Sequence, residues 1–276
     1  MKSNEILLTQ HATRNTQHGP LAAKSLVIIG GTTGLGLSAA RAFIAQGARV
    51  VVVGRNPNSL KAAQRELGQN AFAFAADAVL PETASRAIRL AIQKFGGFDG
   101  LYHVAGGSGR KMGDGPLHEL ADRGLKSTLE LNLMSLIYSN RAAIRQFLAQ
   151  RSGGTILNMS SVLAFSPSPR FFATHAYAAA KSAVIGFTKS IAAYYAPKNI
   201  RCNILAPGLV NTPMAQRAAT DRAIQKFIKQ KQPLDGGRIG QPNDLDAAAI
   251  YFMSDASKFV TGQLLAVDGG WSVTDA

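Results

Sequence analysis

Two side chains set four residues apart frame the chemistry this chain could perform. In "HAYAAAKSAV" (175–184) a phenol, Tyr177, and a primary amine, Lys181, interrupt a run of small residues. Alanine is the strongest helix former, and a helix returns to the same face after about four residues. The amine can then act on the hydroxyl, favouring the phenolate and lowering a pKa that is ordinarily about 10. A phenol tuned in this way exchanges a proton with an alcohol or carbonyl oxygen. The plainer alternative is amphipathicity, with an aromatic in the core and a lysine at the rim.

A second cluster is "IIGGTTGLGLSAA" (28–40), where Gly30, Gly34 and Gly36 follow a G-x-x-x-G-x-G spacing. The segment Gly30, Thr32, Thr33, Gly34, Leu35 and Gly36 joins an apolar strand to a helix. Side chains there would block both the tight turn and the approach of a pyrophosphate to the helix N-terminus. In that context the glycines indicate a dinucleotide, although a glycine turn can be only a turn. Charge then addresses which dinucleotide. A carboxylate at the end of the second strand would suit the ribose of NAD, and an arginine the 2′-phosphate of NADP. The chain reads "VVVVGRNPN" (50–58), with no acidic residue between Glu5 and Glu66. Arg55 can fork onto phosphate oxygens, so NADP(H) is preferred over NAD(H). The competing reading of Arg55 is a solvated loop residue.

The elements that must position these groups are legible as alternating patterns. Apolar runs at 25–30, 48–54, 71–77, 99–107, 154–161, 199–208 and 262–270 read as strands. Helical patterns fill 35–47, 58–68, 81–96 with Pro81 at its first position, two stretches before 154, 175–195, and 242–255 capped by Asn243 or Asp244. Strands apolar on both faces and alternating with helices predict an α/β fold. It is a single doubly wound Rossmann-type domain, with a parallel sheet of about seven strands and helices on both faces. Residues 1–22 are polar and aperiodic, a flexible N-terminal extension ahead of a domain over 23–276.

Bulk properties narrow the function classes. No apolar run approaches the roughly 18 residues of a membrane span, and Ile6-Leu7-Leu8 is too short for a secretion signal. Cys202 is the single cysteine, in the apolar context "IRCNIL", so it is read as packed, and the compartment as cytoplasmic. The net charge of +14 is scattered, dense only at "GRK" (109–111) and "FIKQK" (227–231), with no aromatic-interleaved basic stripe. Solubility and attraction for a phosphorylated small molecule account for it without nucleic acid. No metal is required.

From about Ser25 to Trp271 the chain resembles the short-chain dehydrogenase/reductase family, with 3-oxoacyl-[acyl-carrier-protein] reductases among its members. The matching pieces are the glycine turn, Asp77, Ala105-Gly106, Asn132 in "LELNLMS", Ser161 in "NMSSV", "YAAAK" (177–181), "PGLVNT" (207–212) and "GQLLAVDGG". The resemblance implies an NADPH-dependent carbonyl reductase, reversible as an alcohol dehydrogenase, with Tyr177 as general acid/base and Lys181 also holding the nicotinamide ribose. Ser161 would steady the substrate oxygen. Because strand alternation points Ser160 and Ser161 to opposite faces, only one can serve; Val162 after Ser161 matches the family pattern, which favours Ser161 with Ser160 as the alternative. Asn132 would hold a water that relays protons from Lys181, its alternative being a helix-kinking or capping asparagine. Asp77 would meet the adenine amino group. Ala105, Gly106, Pro207, Gly208, Val210 and Thr212 complete the implied cofactor contacts, with a turn-capping role as the alternative for Thr212. A homotetramer or dimer follows from the same resemblance.

Two positions depart from the family pattern: His103 and Val104 stand where it has asparagines, and Ile29 where it often has threonine. His103 is read as a hydrogen-bonded strand residue. The loops 107–116 and 164–175 and the helical flap 213–234 would shape the substrate site. Phe165, Phe171 and Phe172 would wall it, or pack as core or subunit contacts. Arg110, Lys111 and Arg170 would admit an anionic or thioester substrate. The rival of another class is a non-catalytic NADP(H)-binding sensor, since fold alone does not settle function. A sensor needs no Tyr-Lys pair beside a serine.

Overall fold

Short β-branched runs become strands wherever both faces are covered. In a computed structural model of the protein, which describes residues 19–275, the first such run forms β1 (Ser25–Ile29), buried at every position. The chain continues through α1 (Gly34–Ala45), β2 (Arg49–Gly54), α2 (Pro57–Leu67), β3 (Ala71–Ala75), α3 (Thr83–Phe95) and β4 (Gly100–His103). Then come α4 (Asp122–Leu129), α5 (Ser135–Gln150), β5 (Gly154–Met159), α6 (His175–Tyr195) and β6 (Ile200–Pro207). The last elements are α7 (Gln216–Thr220), α8 (Arg222–Lys231), α9 (Asp246–Met253) and β7 (Leu264–Val267).

The seven strands form one sheet in the order β3-β2-β1-β4-β5-β6-β7, parallel throughout. This is the doubly wound α/β architecture expected from the alternation. The two faces of the sheet carry separate cores. Leu26, Ile28, Val50 and Val52 pack on one side with Phe43 and Phe252, and Val27, Ile29, Val51 and Val53 on the other with Ile88 and Phe147. Successive residues of one strand thus serve opposite layers. Cys202 is buried in the second layer, and burial pushes its thiol up to about 12, so it packs rather than reacts.

The strand order reverses between β1 and β4. In open α/β sheets the crevice at the carboxyl ends of such strands binds ligands, which brings the glycine turn after β1 and the loop after β4 to one place.

Several boundaries differ from expectation, for local reasons. Pro81 does not open α3. The turn in which Leu80 N–H donates to the Asp77 carbonyl claims that stretch, and the helix starts at Thr83. The late helix is split into a 3-10 turn, Pro242–Leu245, and α9, with Gln241 as its cap instead of Asn243 or Asp244. Asp244 is drawn backwards, accepting from the Gln241 N–H at 2.7 Å and from Arg238 at 2.6 Å. Most of the extension placed at 1–22 lies outside the described residues. Leu21, near its end, is fully buried against the first core layer.

Candidate active site

The two catalytic candidates of the sequence do lie on one helix, α6, which spans the interval expected for it. Lys181 is buried, and its ammonium donates to the Met159 carbonyl at the end of β5, at 3.0 Å. Its nitrogen stands 5.7 Å from the centre of the Tyr177 ring. Burial lowers the lysine pKa to about 8. The phenol departs from expectation. Burial raises the Tyr177 pKa, and a hydrogen bond with Ser161 pulls it down. The Lys181 ammonium is turned onto the Met159 carbonyl. A phenol held in its protonated form is in the state required to give a proton to a carbonyl oxygen.

The two serines take separate tasks. Ser160 donates its hydroxyl to the Lys181 carbonyl at 2.8 Å, tying β5 to α6. Ser161 keeps its hydroxyl oxygen beside Tyr177 while accepting the Leu163 N–H at 3.2 Å.

Asn132 sits in a π-helical turn, Glu130–Met134, between α4 and α5. It is fully buried, and its side-chain nitrogen donates to the carbonyls of Gly107 and Thr128, both at 2.9 Å. Its oxygen accepts the Gly107 N–H at 3.0 Å. The side chain therefore braces the loop after β4. Gly106 explains why that brace can sit so close to the lysine. A Cβ there would lie 2.8 Å from Asn132 Oδ1 and 3.1 Å from Lys181 Nζ.

Ser161, Tyr177 and Lys181, but not Asn132, open into a cavity of about 880 Å³ whose lining includes Gly30, Thr32, Thr33, Gly34 and Leu35. Arg55, Asp77, Ala105, Gly106, Pro207, Gly208, Val210 and Thr212 also line it, with Ser161, Tyr177 and Lys181. Gly36 lies behind the wall, where a Cβ would fall 2.1 Å from the Gly30 carbonyl oxygen. Thr33 caps α1 without a side-chain bond, and the first turn holds no acidic residue. The N-terminal amides of α1 thus keep their capacity for an anion. A glycine cradle, an uncapped helix start and a long cavity fit a dinucleotide. Arg55 and Asp77, both in the cavity lining, face each other 3.4 Å apart.

Three contributors were not found from the sequence. The buried carboxylate of Asp114 accepts the N–H groups of Ala176 and Tyr177 at 3.1 and 3.0 Å, capping α6 from the loop after β4. Trp271 lines the cavity and packs on Phe172 at 5.6 Å between ring centres. Arg217, on α7, lines the cavity with Arg110 and Lys111. Arg170, expected at the mouth, instead stacks on the Phe171 ring at 5.0 Å and is absent from the lining. The phenylalanines divide between the two roles: Phe172 walls the cavity, Phe171 packs on Phe227, and Phe165 is exposed.

His103 is a hydrogen-bonded strand residue. Its ring nitrogens face the hydroxyls of Ser139 at 2.8 Å and Ser135 at 3.3 Å. Burial, with the charge of Lys181 behind it, lowers its pKa to about 3.

A parallel sheet with its crevice at the switch point, a glycine cradle and a serine-tyrosine pair over a buried lysine define a Rossmann-type oxidoreductase. Comparison with known proteins makes the class specific. A family model described as enoyl-(acyl carrier protein) reductase matches residues 30–272. The chain is 31% identical to 3beta-hydroxysteroid dehydrogenase 2 of Eggerthella lenta, over 93% of this chain and 98% of that one. It is 32% identical to the 3-oxoacyl-[acyl-carrier-protein] reductase FabG of Chlamydia trachomatis, over 91% and 98%. A solved short-chain type dehydrogenase/reductase from Mycobacterium ulcerans matches with a TM-score of 0.84 at 28% identity, covering 92% of this chain and 91% of that one. The protein belongs to the short-chain dehydrogenase/reductase family, which uses NAD(P) cofactors. It is an oxidoreductase acting on hydroxyl and keto groups. Among the described residues no helix is long and apolar enough to cross a membrane.

Proposed function

We propose that the protein interconverts a small-molecule ketone or aldehyde and the corresponding alcohol, with NADP(H) preferred over NAD(H). The observation that carries this reading is the convergence of Ser161, Tyr177 and buried Lys181 on the glycine-lined cavity. Bound at this site, the cofactor supplies hydride exchange at its nicotinamide ring. Tyr177 gives its hydroxyl proton to the carbonyl oxygen in reduction and takes it back in oxidation. Ser161 donates to the same oxygen as negative charge develops there. Lys181 holds a positive charge behind the pair, and Asn132 fixes the Gly106-Gly107 loop against it. The preference for NADP(H) is supported by Arg55, which lines the cavity with its side chain 65% exposed and, among the described residues, is engaged only by Asp77 at 3.4 Å.

The reading extends to a homotetramer or dimer in the cytoplasm. Support for assembly comes from exposed Phe259, Leu265 and Val273 around β7, a sheet edge with an unpaired side among the described residues. The test is NADPH- and NADH-dependent turnover of a panel of ketones, aldehydes and 3-oxo thioesters, by wild type and Tyr177→Phe. The substitution is expected to lower kcat by about 10²-fold or more while nucleotide affinity stays nearly intact. Equal turnover by the two proteins sinks the mechanism.

A further inference from the structure

Two guanidinium groups in the cavity lining meet over one carbonyl. Arg110, from the loop after β4, donates through Nη2 to the Phe171 carbonyl at 3.4 Å. Arg217, from α7, donates through its own Nη2 to the same oxygen at 3.1 Å. Both line the cavity, with Lys111 beside them. Among the described residues neither arginine takes part in an ion pair. Asp114 is the carboxylate that acts on Arg110, but both of its oxygens already accept the amides of Ala176 and Tyr177. Like charges brought together over a single neutral acceptor repel. Burial and the charge of Arg217 accordingly hold Arg110 below its ordinary pKa.

The arrangement is incomplete as it stands. A guanidinium carries five N–H donors in a fork that matches a carboxylate bidentately, and one backbone oxygen leaves most of them without an acceptor among the described residues. The three groups also come from three separate segments: the loop after β4, the stretch after β5 and the flap. An anion between the arginines would neutralise their repulsion and tie the flap to both loops.

We propose that the substrate carries a carboxylate held between Arg110 and Arg217, with its carbonyl or hydroxyl end at Ser161 and Tyr177. Its apolar body lies against Phe172 and Trp271, which line the cavity beside the arginines. This assignment rests on the oxidoreductase reading above and names its substrate class, an oxo or hydroxy acid.

Trp271 is the one tryptophan of the chain, so its fluorescence reports binding independently of turnover. NADP⁺-saturated protein is titrated with 3- and 4-acetylbenzoate, acetoacetate and their methyl esters, and reduction of each is followed with NADPH. At least one acid is expected to bind about tenfold or more tighter than its ester. Arg217→Gln and Arg110→Gln collapse that ratio, and Arg217→Lys restores part of it because charge returns without the fork. Equal affinity of every acid and its ester, or a ratio that survives both glutamine substitutions, overturns the proposal while leaving the reductase reading in place. Weakened NADP⁺ binding with an unchanged ratio also overturns it, since the pair would then serve the nucleotide. Arginine-dependent acid binding without turnover of any carbonyl keeps the anion subsite and removes the reductase reading.

Discussion

The carboxylate of Asp114 accepts the backbone N–H of Tyr177 at 3.0 Å, and that of Ala176 at 3.1 Å. One loop residue thus satisfies two of the amides that the start of α6 cannot pair internally, one of them belonging to the proton-transfer candidate itself. Gly109 lets the loop come in far enough, since a Cβ there would lie 2.9 Å from the Asp114 side chain. Asp114 acts on Tyr177 through the backbone, as a positioning residue.

Replacing Asp114 by Asn leaves the size unchanged but turns one acceptor into a donor facing an N–H. Loss of a cap costs about 1 kcal/mol, in a range of about 0.5–2 kcal/mol, which urea unfolding will register. A structural role alone would stop there. Displacement of Tyr177 predicts in addition a kcat lowered by about tenfold or more, with the KM for NADPH little changed. A variant that is less stable yet turns over at the wild-type rate would remove Asp114 from the catalytic arrangement.

Ser161 sets a second measurable quantity. Its hydrogen bond opposes the rise that burial imposes on the Tyr177 pKa. In Ser161→Ala that opposition is gone, so the phenol becomes still harder to ionise. Alcohol oxidation needs the phenolate, so the ascending limb of its pH profile is expected to move to higher pH. Its kcat falls by about 10²-fold with the lost donor to the substrate oxygen. Reduction, which uses the neutral phenol, keeps its activity to higher pH than in wild type. A limb that stays in place dissociates the serine from the phenol.

Arg55 discriminates between nucleotides by charge. Its contact with Asp77 is long and solvent-exposed, so Arg55→Ala should change stability by less than about 1 kcal/mol. The KM for NADPH is expected to rise about tenfold, with little change for NADH, because only the former offers a 2′-phosphate to the fork. Steady-state kinetics with both nucleotides checks this, and equal effects on the two would cancel the NADP(H) preference.

What could be read from the sequence follows the range of the interactions concerned. Tyr177 and Lys181 are one helical turn apart, and the glycine turn is seven consecutive residues, so both are local patterns. The strands stood out because a strand covered on both faces is apolar at every position. Asp114 escaped notice because its partners lie 62 and 63 residues further on. The pairing of Arg110 with Arg217 likewise exists only once two loops and a flap have folded onto Phe171. The raised pKa of the phenol has a related origin. Four-residue spacing brings an amine near a hydroxyl, but the position of the Met159 carbonyl decides where that amine points, and burial decides which charge state survives. Helix ends at Pro81 and Asn243 slipped by a few residues because turns and side-chain bonds, absent from any periodicity, claimed the boundary residues.

His103 offers a test of the fold that is independent of catalysis. Its ring nitrogens face two serine hydroxyls, and burial holds its pKa at about 3, against an ordinary 6.5. Between those values the unfolded chain binds a proton that the folded one does not. Folding stability contributed at this site is therefore intact above pH 6.5 and is lost progressively as pH falls towards 3. The slope is up to about 1.4 kcal/mol per pH unit. Asparagine at this position does not titrate. In His103→Asn the stability difference between about pH 7 and pH 4.5 is expected to shrink by an amount set by that slope, whatever the substitution does to stability at neutral pH. Urea unfolding of both proteins at the two pH values measures it. Parallel pH dependences in the two proteins would mean that the imidazole takes up its proton in place, and that the serine-lined pocket does not enforce the neutral ring.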